Sequence, residues 1–428
     1  MFRKLGLVTI IITLGGTLVQ AQNENSPYSR YGIGDLVPSQ NILTRGMGGT
    51  SSAYFDFQSI NFINPASYSR LKVTTLDFGV EIDSKTLRTI DPPSKYNGLS
   101  PNISYLQLGF PLSKSHNWGM NIGLRPLSRV HYKSAIQSTV ESDTLQTLFQ
   151  GDGGAYQVYA GTGFSIGKLS LGFNLGYMFG SKNYSSIQSF QGDTLNTFFY
   201  PARYSTKTNY SGAFVNAGLQ YRARISRLYT LQFGAHGNLK NKIDATRDQV
   251  VETIIQQTNG PIRVDSVKEV KGETGDMVYP TTYGVGMALN HNDRWIISAD
   301  YGQSKWSQYR LFGEPDKVQD AWRFNMGAQI IPNGINPKTY WGRVAYRAGF
   351  MIGRDYIKVK EDLPVYTFSF GAGLPMRKAN YTNQFTVIQT AFEFGQRGNN
   401  SNLVKENFFR FSLGLTLSDV WFQKRKYE

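Results

Sequence analysis

From residue 71 onward the chain divides into stretches of about ten residues in which apolar and polar positions alternate. The clearest places Leu169, Leu171, Phe173, Leu175, Tyr177 and Phe179 on one parity and Ser170, Gly172, Asn174, Gly176, Met178 and Gly180 on the other. Successive side chains of an extended strand point to opposite faces, so this period belongs to strands and not to helices. Fourteen such segments fall near residues 71–82, 99–110, 118–130, 153–164, 168–182, 207–223, 228–241, 279–290, 294–306, 318–331, 340–353, 364–375, 385–396 and 406–417. The connections before 99, 153, 207 and 279 are long and those before 118, 168, 228 and 294 are brief, a contrast that fades towards the C-terminus. Short periplasmic turns alternating with long extracellular loops, on an even number of strands, are the signature of a bacterial outer-membrane barrel. The pattern predicts an all-β chain: a fourteen-stranded antiparallel transmembrane β-barrel, apolar face to lipid and small or polar face to the lumen.

Three long connections carry strand patterning of their own. Residues 250–270 hold two β-rich arms around Asn259-Gly260, a dipeptide suited to the positive φ angles of a tight hairpin turn. Ile136-Gln137-Ser138 with Asp143 to Thr147, and Ile187-Gln188-Ser189 with Asp193 to Thr197, form a weak repeat in neighbouring loops. All three are expected to be hairpins that extend barrel strands above the membrane and pair edge to edge, covering open strand edges. A shared binding surface is the other reading.

Composition narrows the classes. The chain has no Cys, which excludes disulfides, thiolate metal sites and a cysteine nucleophile. Charged residues are only 18 %, aromatics reach 14 %, and 44 residues are Gly. A soluble helical bundle or a disordered chain would not have this balance. Arg3 and Lys4, the apolar run from Leu5 to Leu18 and Val19-Gln20-Ala21 read as a signal peptide over residues 1–21. The net charge of +15 is spread along the chain, with one run, Lys424-Arg425-Lys426, near the C-terminus. That distribution excludes nucleic acid and fits outer-membrane lipid and lipopolysaccharide as the anionic surroundings.

Residues 22–70 lack alternation. They contain Ser26-Pro27-Tyr28-Ser29-Arg30-Tyr31-Gly32, then Arg45-Gly46-Met47-Gly48-Gly49-Thr50-Ser51-Ser52-Ala53, then Ile60-Asn61-Phe62-Ile63-Asn64-Pro65-Ala66 directly before the first strand. The glycine-rich turn, the small-residue piece with Asp56 and the Asn-Pro-Ala resemble the FadL-type outer-membrane long-chain fatty-acid transporters. They also resemble the FadL-like accessory barrels of type IX secretion. The resemblance implies that residues 22–70 form a lead and luminal hatch and residues 71–428 the barrel, with Gly46, Gly48, Gly49, Asn64, Pro65 and Ala66 as structural parts of the hatch. The lead over residues 22–43 has no counterpart in the transporters and leaves room for a partner-binding arm.

Strand parity turns Asp77, Glu81, Arg125, Asp300, Arg323, Arg343, Arg347, Glu393 and Arg410 inward. Closure of the barrel makes Asp77 and Arg410 expected neighbours. Arg323, Arg343 and Arg347, on the tenth and eleventh strands, are candidates for luminal binding of a carboxylate headgroup by paired hydrogen bonds. The alternative is that they pair with Asp300, Glu393 or hatch carbonyls. Gly46 to Ser51 lacks the Gly-Lys-Ser/Thr ending of a phosphate loop, and Gly284-Val285-Gly286 sits inside a strand, where glycine marks a bend or a close approach. His116, His131, His236 and His291 are too widely spaced for a zinc site. No cofactor, metal or catalytic constellation is expected, so the chain reads as a non-enzyme. The functional expectation is passive uptake of small apolar or amphipathic molecules across the bacterial outer membrane. The alternative is a non-transporting component of an outer-membrane secretion or assembly complex, with protein partners.

Overall fold

The alternation around Leu175 becomes a continuous strand in which Phe173, Leu175 and Tyr177 are about half exposed, while Ser170 and Asn174 are buried. A computed structural model of the chain describes residues 26–90, 92–113, 117–140, 143–191, 200–257, 260–292, 294–333, 339–376 and 384–420. The predicted signal peptide, the C-terminal basic run and His116 lie outside the described residues.

Eighteen strands follow in chain order. They begin with β1 (Asp35–Leu36), β2 (Thr74–Thr89), β3 (Ser94–Pro111), β4 (Trp118–Val140), β5 (Asp143–Ile166) and β6 (Leu169–Gln191). Next come β7 (Ala202–Arg224), β8 (Tyr229–Asn238), β9 (Asn241–Gln257), β10 (Gly260–Tyr279), β11 (Thr282–His291) and β12 (Trp295–Ser304). The last are β13 (Arg310–Leu311), β14 (Ala321–Ile330), β15 (Ala345–Lys358), β16 (Asp362–Pro375), β17 (Phe385–Arg397) and β18 (Val404–Asp419). Fourteen of them, β2 to β8, β11, β12 and β14 to β18, form a closed antiparallel barrel, and each carries one of the predicted segments.

Closure is made by β18 against β2, in register from Val404↔Thr89 to Asp419↔Thr74. This register corrects the expected Asp77–Arg410 contact: Arg410 lies opposite Asp83, and Asp77 lies opposite Thr416. Alternation decides which face a charge takes, but no turn connects the first and last strands, so nothing local sets their register.

Strands β4 to β7 have 23, 24, 23 and 23 residues, whereas about 9–11 residues cross a membrane. Their upper halves continue outward as one sheet. Ile136 pairs with Thr147, Leu148 with Ile187, Gln188 with Ala202, and Ala202 with Thr253 of the β9–β10 hairpin. Two of the three predicted hairpins, β4–β5 and β9–β10, are thus present, and they are joined edge to edge through β6 and β7. The turn at Asn259 and the stretch from Asp193 to Thr197 lie outside the described residues.

The largest departure from expectation concerns the N-terminal lead. Residues 26–73 lie inside the barrel: Tyr28, Ile33, Ile42, Leu43, Met47 and Ile60 are buried against inward-facing strand residues. A free partner arm over residues 22–43 is thus corrected for its described part, residues 26–43, which fill the lumen. The segment lacks alternation because it packs on all sides instead of on two.

Candidate functional site

The luminal segment is shaped by local rules. Asn41 caps the single turn α1 (Ile42–Arg45), accepting from Thr44 N at 2.9 Å and donating to Ile60 O at 2.9 Å. Gly48 and Gly49 follow with φ of +66° and +81°, the left-handed region that closes a helix end. Gly49 N returns to Thr44 O at 2.8 Å, and Gly48 N donates to Ser369 Oγ at 2.8 Å. At Gly48 a Cβ would lie 2.7 Å from Phe350 O, so close approach to the wall adds to the demand for glycine.

Asn64 caps the 3-10 turn Pro65–Arg70, and its Nδ2 donates to Ser52 O, Leu219 O and Ala235 O at 2.7, 3.1 and 3.2 Å. Beneath Asn64, Pro65 and the turn they open runs an in-register row across four strands, Gly119–Gly163–Gly172–Gly218. With no side chains along this row, the backbone of Pro65 and Tyr68 rests directly on the wall. Ser51 N and Ser52 N both donate to Asp300 Oδ2, at 2.6 and 2.7 Å. Gly286 lets Ser52 and Asp300 approach, in agreement with the close approach read from Gly284-Val285-Gly286.

The centre of the site is ionic. Arg45, 1 % exposed, donates to Glu81 Oε2 at 2.7 Å and to Glu393 Oε2 through both Nε (2.9 Å) and its terminal nitrogen (2.5 Å). Glu81 also receives Arg129 at 2.9 Å, and Arg410 joins Asp83 at 3.1 Å. One layer further out, Arg397 meets Asp35 at 2.8 Å, Asp355 at 3.1 Å and Glu406 at 3.4 Å, with Lys85 3.2 Å from Asp35. Burial would push the Asp35 carboxyl up, but the Arg397 and Lys85 charges hold it below the usual carboxylate range. Two luminal cavities of about 130 and 200 Å³ flank residues 36–40, and both are bordered by Leu36, Gln40, Gly49, Arg323 and Asn325.

A seam opens beside this segment. The β3–β4 ladder stops at Leu106↔Leu124, just below Pro126, which has no N–H to offer. The chain's own β1 takes the vacated edge, pairing Asp35 with Arg129 and Leu36 with Ser128, and Val37 N donates to Leu127 O at 3.0 Å. Above it Ser29 Oγ exchanges hydrogen bonds with the His131 backbone.

The predicted hatch residues Gly46, Gly48, Gly49, Asn64, Pro65 and Ala66 all lie at the contact between segment and wall. The three arginines do not come together. Arg323 lies beside both cavities, and its side chain makes no hydrogen bond or ion pair among the described residues. Arg347 is occupied by Gln329 and Gln389, each at 2.7 Å. Arg343 ends an exposed 3-10 turn, Trp341–Arg343, before β15 begins. The three are separated because the strand starts at Ala345, two residues past Arg343, and because Arg323 and Arg347, each the third residue of its strand, lie at opposite ends of an antiparallel pair.

Sequence reasoning missed Asp35, Arg45, Asp83, Lys85, Arg397 and Glu406. Period-two continuation would have found four of them: Asp83 and Lys85 share the parity of Glu81, Arg397 that of Glu393, and Glu406 that of Arg410. Asp35 and Arg45 lie in the aperiodic segment and had no such signal.

Residues 1–428 match the BamG family, a FadL-like family. The chain belongs to the BamG family. The BamG-family barrel is similar in fold to the Pseudomonas putida toluene transporter TodX, at 15 % identity and a TM-score of 0.58, over 90 % of this chain and 99 % of that one. It is similar to the Ralstonia pickettii toluene transporter TbuX at 16 % identity and 0.56, over 89 % and 98 %. A Pseudomonas aeruginosa FadL homologue gives 13 % and 0.56, over 90 % and 98 %. No curated protein sequence matches the chain. At these identities the likeness establishes the fold, and that fold points to the bacterial outer membrane.

Proposed function

We propose that this BamG-family chain is an integral outer-membrane component of an assembly or secretion machine, a plugged barrel that presents a sheet at the cell surface instead of conducting solutes. In this reading residues 1–21 are an export signal and residues 22–70 a hatch built on Gly46, Gly48, Gly49, Asn64, Pro65 and Ala66. The observation that carries it is Arg45. Its guanidinium joins the luminal segment to β2 and β17 at once through buried ion pairs, so displacing the segment leaves buried charges without their partner. Passive passage of an apolar molecule favours a greasy path, and the cavities here mix Arg, Asp, Asn and Gln with apolar side chains such as Leu36, Leu127 and Trp306. The β4–β7 sheet with its β9–β10 hairpin gives such a component a large exposed surface, and the family name hints at assembly.

The second reading is uptake of small apolar or amphipathic molecules. It is favoured by the fold shared with hydrocarbon channels, by the β3–β4 seam and by Arg323, the one of the three arginines that borders the luminal cavities.

Depletion of the protein in its own cells, with quantitative proteomics of the outer membrane, separates the two. The assembly reading expects a broad fall in other barrel proteins and no accumulation of toluene or oleate by proteoliposomes containing the purified chain. An unchanged outer-membrane proteome together with accumulation in proteoliposomes overturns it in favour of uptake.

A further inference from the structure

On the lipid-facing parity of the closing strands, β18, β2 and β3 bring three cations into one row: Lys405 lies opposite Arg88, and Arg88 opposite Lys95. Like charges placed directly across a ladder destabilise it, so an arrangement of three needs an anion to compensate. None is supplied from within the described residues. Arg88 and Lys95 are exposed and form no ion pair, and Lys405 reaches only Asn400 Oδ1 at 3.5 Å. Arg88 stands fourteen residues beyond the first residue of β2 on the long-hairpin side. Since about 9–11 residues cross the hydrocarbon, the row sits at the level of the outer-leaflet headgroups.

A second observation lies on the strands next to this row, with β18 common to both. Phe368, Phe394 and Phe409 form one in-register row across β16, β17 and β18, and Phe370, Phe392 and Phe411 form the next. Their rings contact across the strands, with centroids 5.0 Å apart for Phe394–Phe409 and 4.9 Å for Phe392–Phe411. Phe368 and Phe370 are more than half exposed on the outer wall. Phe409 is four residues below Lys405 on the same face of β18, roughly 13 Å along the strand.

We propose that the outer wall of β16, β17, β18, β2 and β3 is a binding site for a phosphorylated glycolipid of the outer leaflet, phosphate on Lys405, Arg88 and Lys95 and acyl chains on the two phenylalanine rows. The spacing matches such a molecule: charged head at the row of cations, hydrocarbon against the rings one headgroup depth below. Arg88 offers a forked donor to phosphate, and the two lysines add point charges on either side. The site is independent of whether the barrel assembles other proteins or passes small molecules.

The test is native mass spectrometry of the full chain in mild detergent, titrated with bisphosphorylated lipid A, for the wild type and for a Lys405→Gln, Arg88→Gln, Lys95→Gln variant. Each Lys or Arg near an anionic surface is worth about a factor of five, so the triple variant should bind about a hundredfold more weakly. Dephosphorylated lipid A should bind the wild type as weakly as the variant binds lipid A. Heat-modifiable gel mobility checks that the variant is folded; if it is not, Arg88→Gln alone, expected to lose about fivefold, replaces it. Equal lipid A binding by the folded variant overturns the proposal. So does equal affinity of the wild type for phosphatidylglycerol, or a protein partner that protects this wall from labelling.

Discussion

Arg397 on β17 donates to Asp35 Oδ1 at 2.8 Å, joining residues 362 positions apart and tying the luminal segment to the barrel near its outer end. Because the folded carboxyl of Asp35 is held below its ordinary value, it contributes stability that is complete above about pH 4 and is lost as pH falls through the folded value. The melting temperature of the barrel should therefore fall as pH drops below about 4. Asp35→Asn should lower it at neutral pH and make the acid dependence shallower. An acid limb as steep in the variant as in the wild type would count against the pair.

Arg45→Ala leaves Glu81 and Glu393 buried without their shared guanidinium, with Arg129 and Arg410 in partial compensation. Breaking a buried ion pair from one side costs about 3–5 kcal/mol. Urea unfolding of the folded band in detergent should report a loss of this size. Arg45→Met with Glu393→Gln together should recover part of it.

Gly218→Val probes the glycine row. A Cβ there would stand 2.0 Å from Asn64 Oδ1 and 2.8 Å from the Pro65 ring. Overpacking of this kind costs about 1–3 kcal/mol, and here the displaced element is the luminal segment. Limited trypsin digestion should cut at Arg70 or Arg45 in the variant and spare both in the wild type.

Phe173 sits about halfway along the membrane-spanning part of β6 and is about half exposed. Phe173→Arg would place a charge in hydrocarbon at about 2–4 kcal/mol, so the amount of folded protein recovered from the membrane should drop. Normal yield would mean that the lipid-facing parity is wrong.

Deleting residues 22–43 removes β1, the Asn41 cap and the contacts of Tyr28 and Ile33. Planar-bilayer recordings of the truncated chain should show steady ion conductance where the full chain shows none. A silent truncated barrel would mean that residues 44–73 seal the lumen alone.

The fourteen strands and their two faces were legible because hydrocarbon on one side and a filled lumen on the other force a strict period of two. Leu169 to Gly180 shows this most plainly. Register was not legible: Arg410 meets Asp83 and not Asp77, since an identical alternation results from sliding a strand by any even number of residues. The luminal site was half legible. Gly48, Asn64 and Pro65 announced tight turns by residue type, and the structure puts them against the wall. Asp35 and Arg45 gave no warning, because a segment surrounded on every side has no preferred face for a period to record. Strand ends were drawn too short wherever β2 and β4 to β7 rise out of the membrane, since alternation weakens once both faces meet water.

The two carboxylates that hold Arg45 sit on β2 and β17, with β18 alone between them, so one guanidinium spans the line along which the sheet closes. The segment carrying it precedes every barrel strand in the chain, yet its second partner arrives with the penultimate strand. The contact of Arg45 with both carboxylates is therefore complete only when β2, β17 and the luminal segment are all in place, and in chain order β17 comes after almost every other strand. A sheet closed without residues 26–73 would enclose two carboxylates without their shared counter-charge, with Arg129 and Arg410 left as partial compensation. One side chain thus couples the placing of the N-terminal segment to the two strands that flank the closing one.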